Sequence, residues 1–367
     1  MPGLWLGLIS GTSADGIDAA IVRFEPHLEV LATNTSPYPA DLRERLLDLA
    51  KGHASISLDD YGHLDVAIGE CFATAALCVM RTAGVDARSI AAIGSHGQTV
   101  CHRPTGAHPF TLQIGDPNVI AERTGVVTVG DFRRADIAAG GQGAPLLPAL
   151  HAAVFADPEL PRAILNLGGI ANLTLLSPGH DVLGFDTGPA NCLLDAWAAS
   201  HLGATRDEDG AWSRSGRVVE SLLAELLDDS YFHAPPPKST GREVFHLEWL
   251  HKRMPSGLQP ADVQATLLAL SARTIADALR RHGQSTREVF ACGGGVHNTA
   301  LMDALKVELS GLRVATTAAL GLDPDFVEAV GFAWLAQARM RNEPGNLPSV
   351  TGARGPRVLG TIHSGMR

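Results

Sequence analysis

Three short glycine-rich turns, each directly after an apolar β-prone run, constrain this chain more than any other feature of its sequence. Residues 4–9 run into Gly11-Thr12-Ser13-Ala14-Asp15-Gly16 and out through residues 17–24; residues 163–167 run into Gly168-Gly169 and on to residues 173–176; residues 289–292 run into Gly293-Gly294-Gly295. The first two read as β-hairpins and the third as a strand-to-helix turn. Glycine lacks Cβ and tolerates positive φ, so such turns can bring several backbone N–H groups close to a phosphate chain. None of the three is GxxxxGK[ST], and no GxGxxG opens an early helix with an acidic residue about 20 positions later, so P-loop and Rossmann readings fail. One such turn alone is more often structural. Three, rich in Thr, Ser, Asn and Asp, point to a nucleotide whose phosphates lie between two hairpins and whose adenosine lies at the third turn.

At 367 residues the chain exceeds one ordinary core and suits two domains with a cleft between them. A composition of 45% hydrophobic and 19% charged residues with 39 Gly and 22 Pro is that of a loop-rich globular protein. The net charge of −10 argues against nucleic acid or an anionic membrane as partner. Cys71, Cys78, Cys101, Cys192 and Cys292 are scattered without a CxxC pair, so neither a disulfide framework nor a zinc site is expected. The first apolar stretch is too short for a signal segment or a membrane span, and a cytoplasmic location is expected.

Apolar periodicity predicts helices over residues 64–81, 218–227, 261–281, 298–309 and 326–341, and further strands over 90–94, 111–114 and 126–129. The fold class is α/β, with each of two lobes a mixed sheet flanked by helices. The first lobe is expected to hold residues 1–130 plus about 335–367, the second residues 131–334, with a mobile tail after the last helix.

Several segments, in order along almost the whole chain, resemble one family: GTSADGID (11–18), SHGQTV (95–100), GDFRRADIAAGGQGAPL (130–146), NLGGIANLT (166–174), GFDTGPANCLLDAW (184–197), KSTGREVF (238–245), CGGGVHN (292–298) and EAVGFAWLA (328–336). They resemble the anhydro-N-acetylmuramic acid kinases. One departure is Gly188-Pro189-Ala190-Asn191, where the family pattern is GPGN. The resemblance implies the actin, Hsp70 and hexokinase type of fold around an ATP site, and a homodimer. It also implies a reaction on 1,6-anhydro-N-acetylmuramic acid: water opens the anhydro ring while O6 is phosphorylated, giving N-acetylmuramic acid 6-phosphate and ADP in peptidoglycan recycling.

The anhydro bridge leaves no free O6 hydroxyl, so water must be activated toward C1, and Asp186 is the candidate general base. Nucleotide contacts are expected from Gly11, Thr12, Ser13, Ala14, Asp15, Gly16, Ile17 and Asp18, from Asn166, Gly168, Gly169 and Gly188, and from Gly293, Gly294, Gly295 and Asn298. Mg2+ accompanies ATP in such transfers, and Asp15 and Asp18 are candidates to hold it, directly or through water. His96, Gln98 and Thr99 are expected to bind the sugar, a reading preferred to a His96/His102 metal pair. Arg133 suits the substrate's lactyl carboxylate; Asp136 and Glu328 complete the sugar set. Two other readings remain. An ATP-switched interaction protein would hydrolyse ATP without regard to sugar, and a conventional amino-sugar kinase would act on a free 6-hydroxyl.

Overall fold

The first hairpin forms as its sequence requires. In a computed structural model, which describes residues 3–11, 13–50 and 56–365, β1 (Leu4–Ser10) pairs antiparallel with β2 (Ile17–Arg23), Leu8 opposite Ala19. The second hairpin pairs β7 (Arg162–Leu167) with β8 (Ile170–Leu176) in the same way, Leu165 opposite Leu173.

The remaining strands are β3 (Glu29–Ser36), β4 (Ile90–Arg103), β5 (Phe110–Ile114), β6 (Thr128–Gly130), β9 (Leu183–Pro189), β10 (Glu288–Cys292), β11 (Arg313–Thr316) and β12 (Thr361–His363). They form two sheets, β12-β6-β4-β1-β2-β3, with β5 on β4, and β11-β10-β7-β8-β9. One plan underlies both. The first three strands of each are an antiparallel meander, and the next two, β4 and β6 in one sheet and β10 and β11 in the other, run parallel to the first. The glycine turns after β1 and after β7 therefore occupy equivalent places in two α/β units of related topology.

The units are Met1–Leu150 with Phe326–Arg367, and His151–Asp325. The chain thus crosses over at Leu150 rather than near residue 130, and returns at Phe326 rather than near 335. The reason is packing. In the helix Val327–Met340, Ala329 lies against β1 so closely that a Cβ on Gly7 would fall 1.8 Å from its carbonyl oxygen, and a Cβ on Gly94 of β4 would fall 1.9 Å from that of Phe332. Glycine at both positions lets this helix lie on the first sheet.

The helix Leu58–Ala83 covers the same sheet's core. Ser57 caps its start, Gly84 ends it at φ 63°, and Leu64, Ile68, Phe72, Ala75 and Val79 are buried at the expected spacing; each large side chain so buried stabilises by roughly 1.5–3 kcal/mol. This helix is long and apolar enough to cross a membrane, but its apolar stripe is spent inside the first unit. In the second unit the helix Pro260–His282 buries Val263, Leu267, Leu270 and Ile275 in the other core.

The expected mobile tail is instead built into the first unit. Asn346 Nδ2 and Thr351 Oγ1 each donate to Asp136 Oδ1 at 2.7 Å, and β12 pairs antiparallel with β6, Ile362 opposite Val129. Local composition hid this, because the partners come from far along the chain.

Candidate functional site

In the second unit, three expected nucleotide segments meet. Asn191 Nδ2 donates to the carbonyls of Leu167 at 3.1 Å and Gly168 at 2.9 Å, and the N–H groups of Ala190 and Cys192 donate to Gly169 at 3.0 Å. A Cβ on Gly293 would lie 2.4 Å from Asn166 Oδ1, and one on Gly295 2.6 Å from Leu167 Cβ. The middle positions differ from these. A Cβ on Gly294 would meet nothing within 4 Å, and one on Gly168 nothing nearer than Ile170 O at 3.4 Å. Gly293 and Gly295 let the turns pack; Gly168 and Gly294 leave open backbone faces that a phosphate chain or nucleoside can approach. Gly188, at φ 147° and crowded by Phe232, shapes the turn below them. Asn298 caps the helix Thr299–Glu308, its Oδ1 accepting from Leu301 N–H at 3.0 Å, which commits that oxygen to the fold.

In the first unit, Thr12 lies outside the described residues. Around it, Ala14 N–H donates to Gly11 O at 3.0 Å, and Gln98 Nε2 donates to the same carbonyl at 3.1 Å. The nearest neighbour of a Cβ on Gly11 would be Ser13 Oγ at 3.8 Å, so this backbone face is open too. Ala14 holds φ 49° and Ile17 is fully buried: both side chains serve the hairpin and its core. Gly16 leaves room for Thr35 and Ser36. Asp15 pairs with Arg43 at 2.7 Å, and Asp18 accepts from Thr35 Oγ1 at 2.6 Å. Among the described residues no group of three or more His, Cys, Asp or Glu side chains converges as a metal site, so the donor set fits an ion carried by the nucleotide's own phosphates better than a protein cage.

The expected sugar contacts also lie in the first unit. Arg133 Nε donates to His96 Nε2 at 3.0 Å, which puts the imidazole proton on Nδ1. That Nδ1 is buried without a partner among the described residues, as is Gln98 Oε1, so the pair offers one unmet donor and one unmet acceptor. Burial, then the Arg133 charge, holds His96 far below the ordinary histidine range. Burial pushes Arg133 down to about 10 against the pull of Glu328 and Asp136. Glu328 stands in the first turn of the helix Val327–Met340. Thr99 Oγ1 accepts from Gln113 at 3.1 Å. His102 is pushed down to about 4, chiefly by burial, and bonds to Thr111 at 3.0 Å.

Asp136, expected beside the sugar, is an internal anchor. It is wholly buried; Oδ2 accepts from Gly143 N–H at 2.7 Å while Oδ1 accepts from Asn346 and Thr351. Four hydrogen-bonding groups close on one another, leaving this carboxylate no face for a ligand.

Asp186 stands within the edge strand β9. Its backbone N–H donates to Lys238 O at 3.1 Å, Thr240 N–H donates to its Oδ2 at 2.9 Å, and Tyr231 Oη donates to its carbonyl at 2.9 Å. Burial raises the carboxyl to about 7, opposed by the Thr240 N–H and the Lys238 charge. Lys238 is itself lowered to about 8 by burial and by Arg281. A carboxyl that titrates near neutrality can take a proton from water and release it again.

The family model for anhydro-N-acetylmuramic acid kinase matches residues 3–365. The chain belongs to the anhydro-N-acetylmuramic acid kinase family. A relative of that name from Xylella fastidiosa is 54% identical over 365 residues, covering 98% of this chain and 96% of its own. Another from Coxiella burnetii is 50% identical over 364 residues, with 98% and 97% covered. A solved ROK family glucokinase from Streptomyces griseus, in complex with glucose and AMPPNP, aligns over 91% of this chain and 99% of that one at 15% identity and a TM-score of 0.44, a distance at which nothing about the site carries over.

For this member of the anhydro-N-acetylmuramic acid kinase family, sequence reasoning missed the residues that hold Asp186. Lys238 and Thr240 sit in KSTGREVF, a segment that carries the family resemblance without announcing a role. Tyr231 and Asn191 gave no signal, because their contacts are to backbone atoms of strands remote in sequence.

Proposed function

We propose that this chain is an ATP-dependent kinase that opens the anhydro ring of 1,6-anhydro-N-acetylmuramic acid with water and phosphorylates O6. The observation that carries this reading is Asp186: a carboxyl raised to about 7 and aligned by the Thr240 N–H is a base suited to water at neutral pH. Asp186 takes a proton from water as the water oxygen bonds to C1. The C1–O6 bond breaks, and O6 takes the γ-phosphoryl group while the bond from that phosphorus to the β-phosphate oxygen breaks. The products are N-acetylmuramic acid 6-phosphate and ADP.

The open glycine faces at Gly11, Gly168 and Gly294 support a nucleotide held chiefly by backbone N–H groups. Mg2+, when bound with ATP, neutralises phosphate charge; Asp15 and Asp18 would reach it through water. The unmet donor of His96 and acceptor of Gln98 suit the hydroxyl and amide groups of an amino sugar, with Arg133 for the lactyl carboxylate and Glu328 for a sugar hydroxyl. A cytoplasmic homodimer working in cell-wall recycling fits this substrate.

The test is to incubate the protein with MgATP and the anhydro sugar in H2(18)O and locate the label by mass spectrometry. Label on the anomeric oxygen with phosphate on O6 is expected. Phosphorylation of ordinary N-acetylmuramic acid with equal ease, or ATP hydrolysis indifferent to any sugar, would overturn the reading in favour of a conventional sugar kinase or an ATP-switched protein.

A further inference from the structure

Phosphoryl transfer needs full positive charge beside the phosphates, and backbone turns supply only partial charges. None of the turn residues, from Gly11 to Asp18, from Asn166 to Gly169, at Gly188 or from Gly293 to Asn298, is lysine or arginine. Two arginines that touch candidate residues in the first unit are already committed. Arg43 pairs with Asp15 and donates to Ala14 O at 3.1 Å. Arg133 donates to His96 Nε2 and to Gly143 O, with Glu328 and Asp136 opposing its charge.

Arg242, in the second unit, differs from both. A Cβ on Gly169 would lie 2.9 Å from its Nε, 2.9 Å from its Nη2 and 3.3 Å from its Cζ. The guanidinium therefore covers the Cα face of the second glycine turn, and only glycine at 169 leaves it that place. Arg242 is exposed, and among the described residues it has no hydrogen bond or ion pair. Its charge is felt at the buried Cys192, and its five N–H donors, held over a turn next to the open face of Gly168 with no hydrogen-bond acceptor among the described residues, are matched to an anion. The segment that carries Arg242 also holds the base: Lys238 O accepts from Asp186 N–H and Thr240 N–H donates to Asp186 Oδ2. Only Gly241 separates the cation's residue from Thr240, and over that glycine the carboxylate of Glu243 folds.

We propose that Arg242 is the side-chain cation that contacts the nucleotide's phosphates at the Gly168-Gly169 turn and neutralises charge developing on the transferred phosphoryl group. This rests on the kinase reading above. Arginine rather than lysine is required, because the planar fork both lies on the turn and reaches two phosphate oxygens at once.

The experiment compares the wild-type chain with Arg242→Ala and Arg242→Lys by steady-state kinetics on MgATP and the anhydro sugar, with and without added guanidinium chloride at concentrations that leave the fold intact. The expected result is a fall in kcat of about a thousandfold or more in both variants, the scale of losing an arginine from a phosphoryl-transfer site. The KM for the sugar should hardly change. Guanidinium should partly restore Arg242→Ala in a saturable way and leave wild type unaffected, a response that a merely structural arginine would not give.

Wild-type rates in the variants, or lost activity that guanidinium does not restore in a variant that melts like wild type, would overturn the proposal. So would a loss expressed only in the sugar KM that vanishes with an anhydro sugar lacking the lactyl carboxylate, since the arginine would then belong to the substrate's carboxylate. If wild type turns over no anhydro sugar, the reaction assignment falls by itself. Arg242 is then read from the affinity for a non-hydrolysable ATP analogue, which must weaken in both variants for the proposal to stand.

Discussion

The backbone N–H of Thr240 donates to Oδ2 of Asp186 at 2.9 Å across 54 residues of sequence, and this bond stabilises the ionised form of a carboxyl that burial otherwise keeps protonated. The balance leaves Asp186 at about 7, and two of the predictions below depend on it.

Activity should rise with pH along an acid limb centred near 7, because the base must lose its proton before it can accept one from water. Lys238 lowers the Asp186 pKa by its charge, so Lys238→Met should move that limb to higher pH. A pH profile of kcat/KM on both proteins checks this. An unmoved limb would mean that another group titrates.

Asp186→Asn should lose about two to four orders of magnitude in kcat, the usual worth of a general base, yet gain stability. The native pKa lies above the ordinary 3.8, so the native state holds a proton that the unfolded chain releases. The stability due to this group is complete below about pH 4 and is lost as pH rises through 7. Asparagine cannot ionise. The difference in Tm between variant and wild type should therefore grow between about pH 4 and pH 7 and level off above; thermal melts across that range measure it.

Glycines of the two kinds should answer alanine differently. Gly168→Ala and Gly294→Ala add a methyl to open faces, so both should fold normally and raise the KM for ATP. Gly7→Ala would put its methyl 1.8 Å from Ala329 O, which forces the helix Val327–Met340 off the sheet; large destabilisation in urea unfolding is expected.

Asp136→Ala would strand Gly143 N–H and leave Asn346 Nδ2 and Thr351 Oγ1 only their longer bonds to Gly355 O at 3.5 Å and Leu347 O at 3.4 Å. A loss of about 3 kcal/mol or more is expected, read from urea midpoints. Limited proteolysis should find new cleavage after residue 341, where the tail loses its anchor.

The glycine turns that frame the candidate site were legible in advance because their signals are local. The turns after β1, β7 and β10 announce themselves through glycine and the apolar runs before them, and the helix Leu58–Ala83 through its 3.6-residue stripe. Asp136, Asp15 and Asn298 were not legible as the anchor, ion-pair partner and helix cap they are. A polar residue in a glycine-rich segment looks the same in sequence whether it faces a ligand or another part of the chain. β9 and β12 escaped for a related reason: edge strands of mixed composition are defined by the neighbour they pair with, and Asp186 sits in one of them.

By itself the sequence determined the hairpins, the main core helices and the family, since backbone freedom at glycine, side-chain periodicity and a run of matched motifs are properties of adjacent residues. Only the tertiary structure decided which polar groups are spent. The donors that satisfy Asp136 Oδ1 stand 210 and 215 residues away, and the backbone that aligns Asp186 stands 54 residues away. Hydrogen-bond satisfaction and burial depend on which distant segments are brought together, and that is set by how the sheets and helices pack.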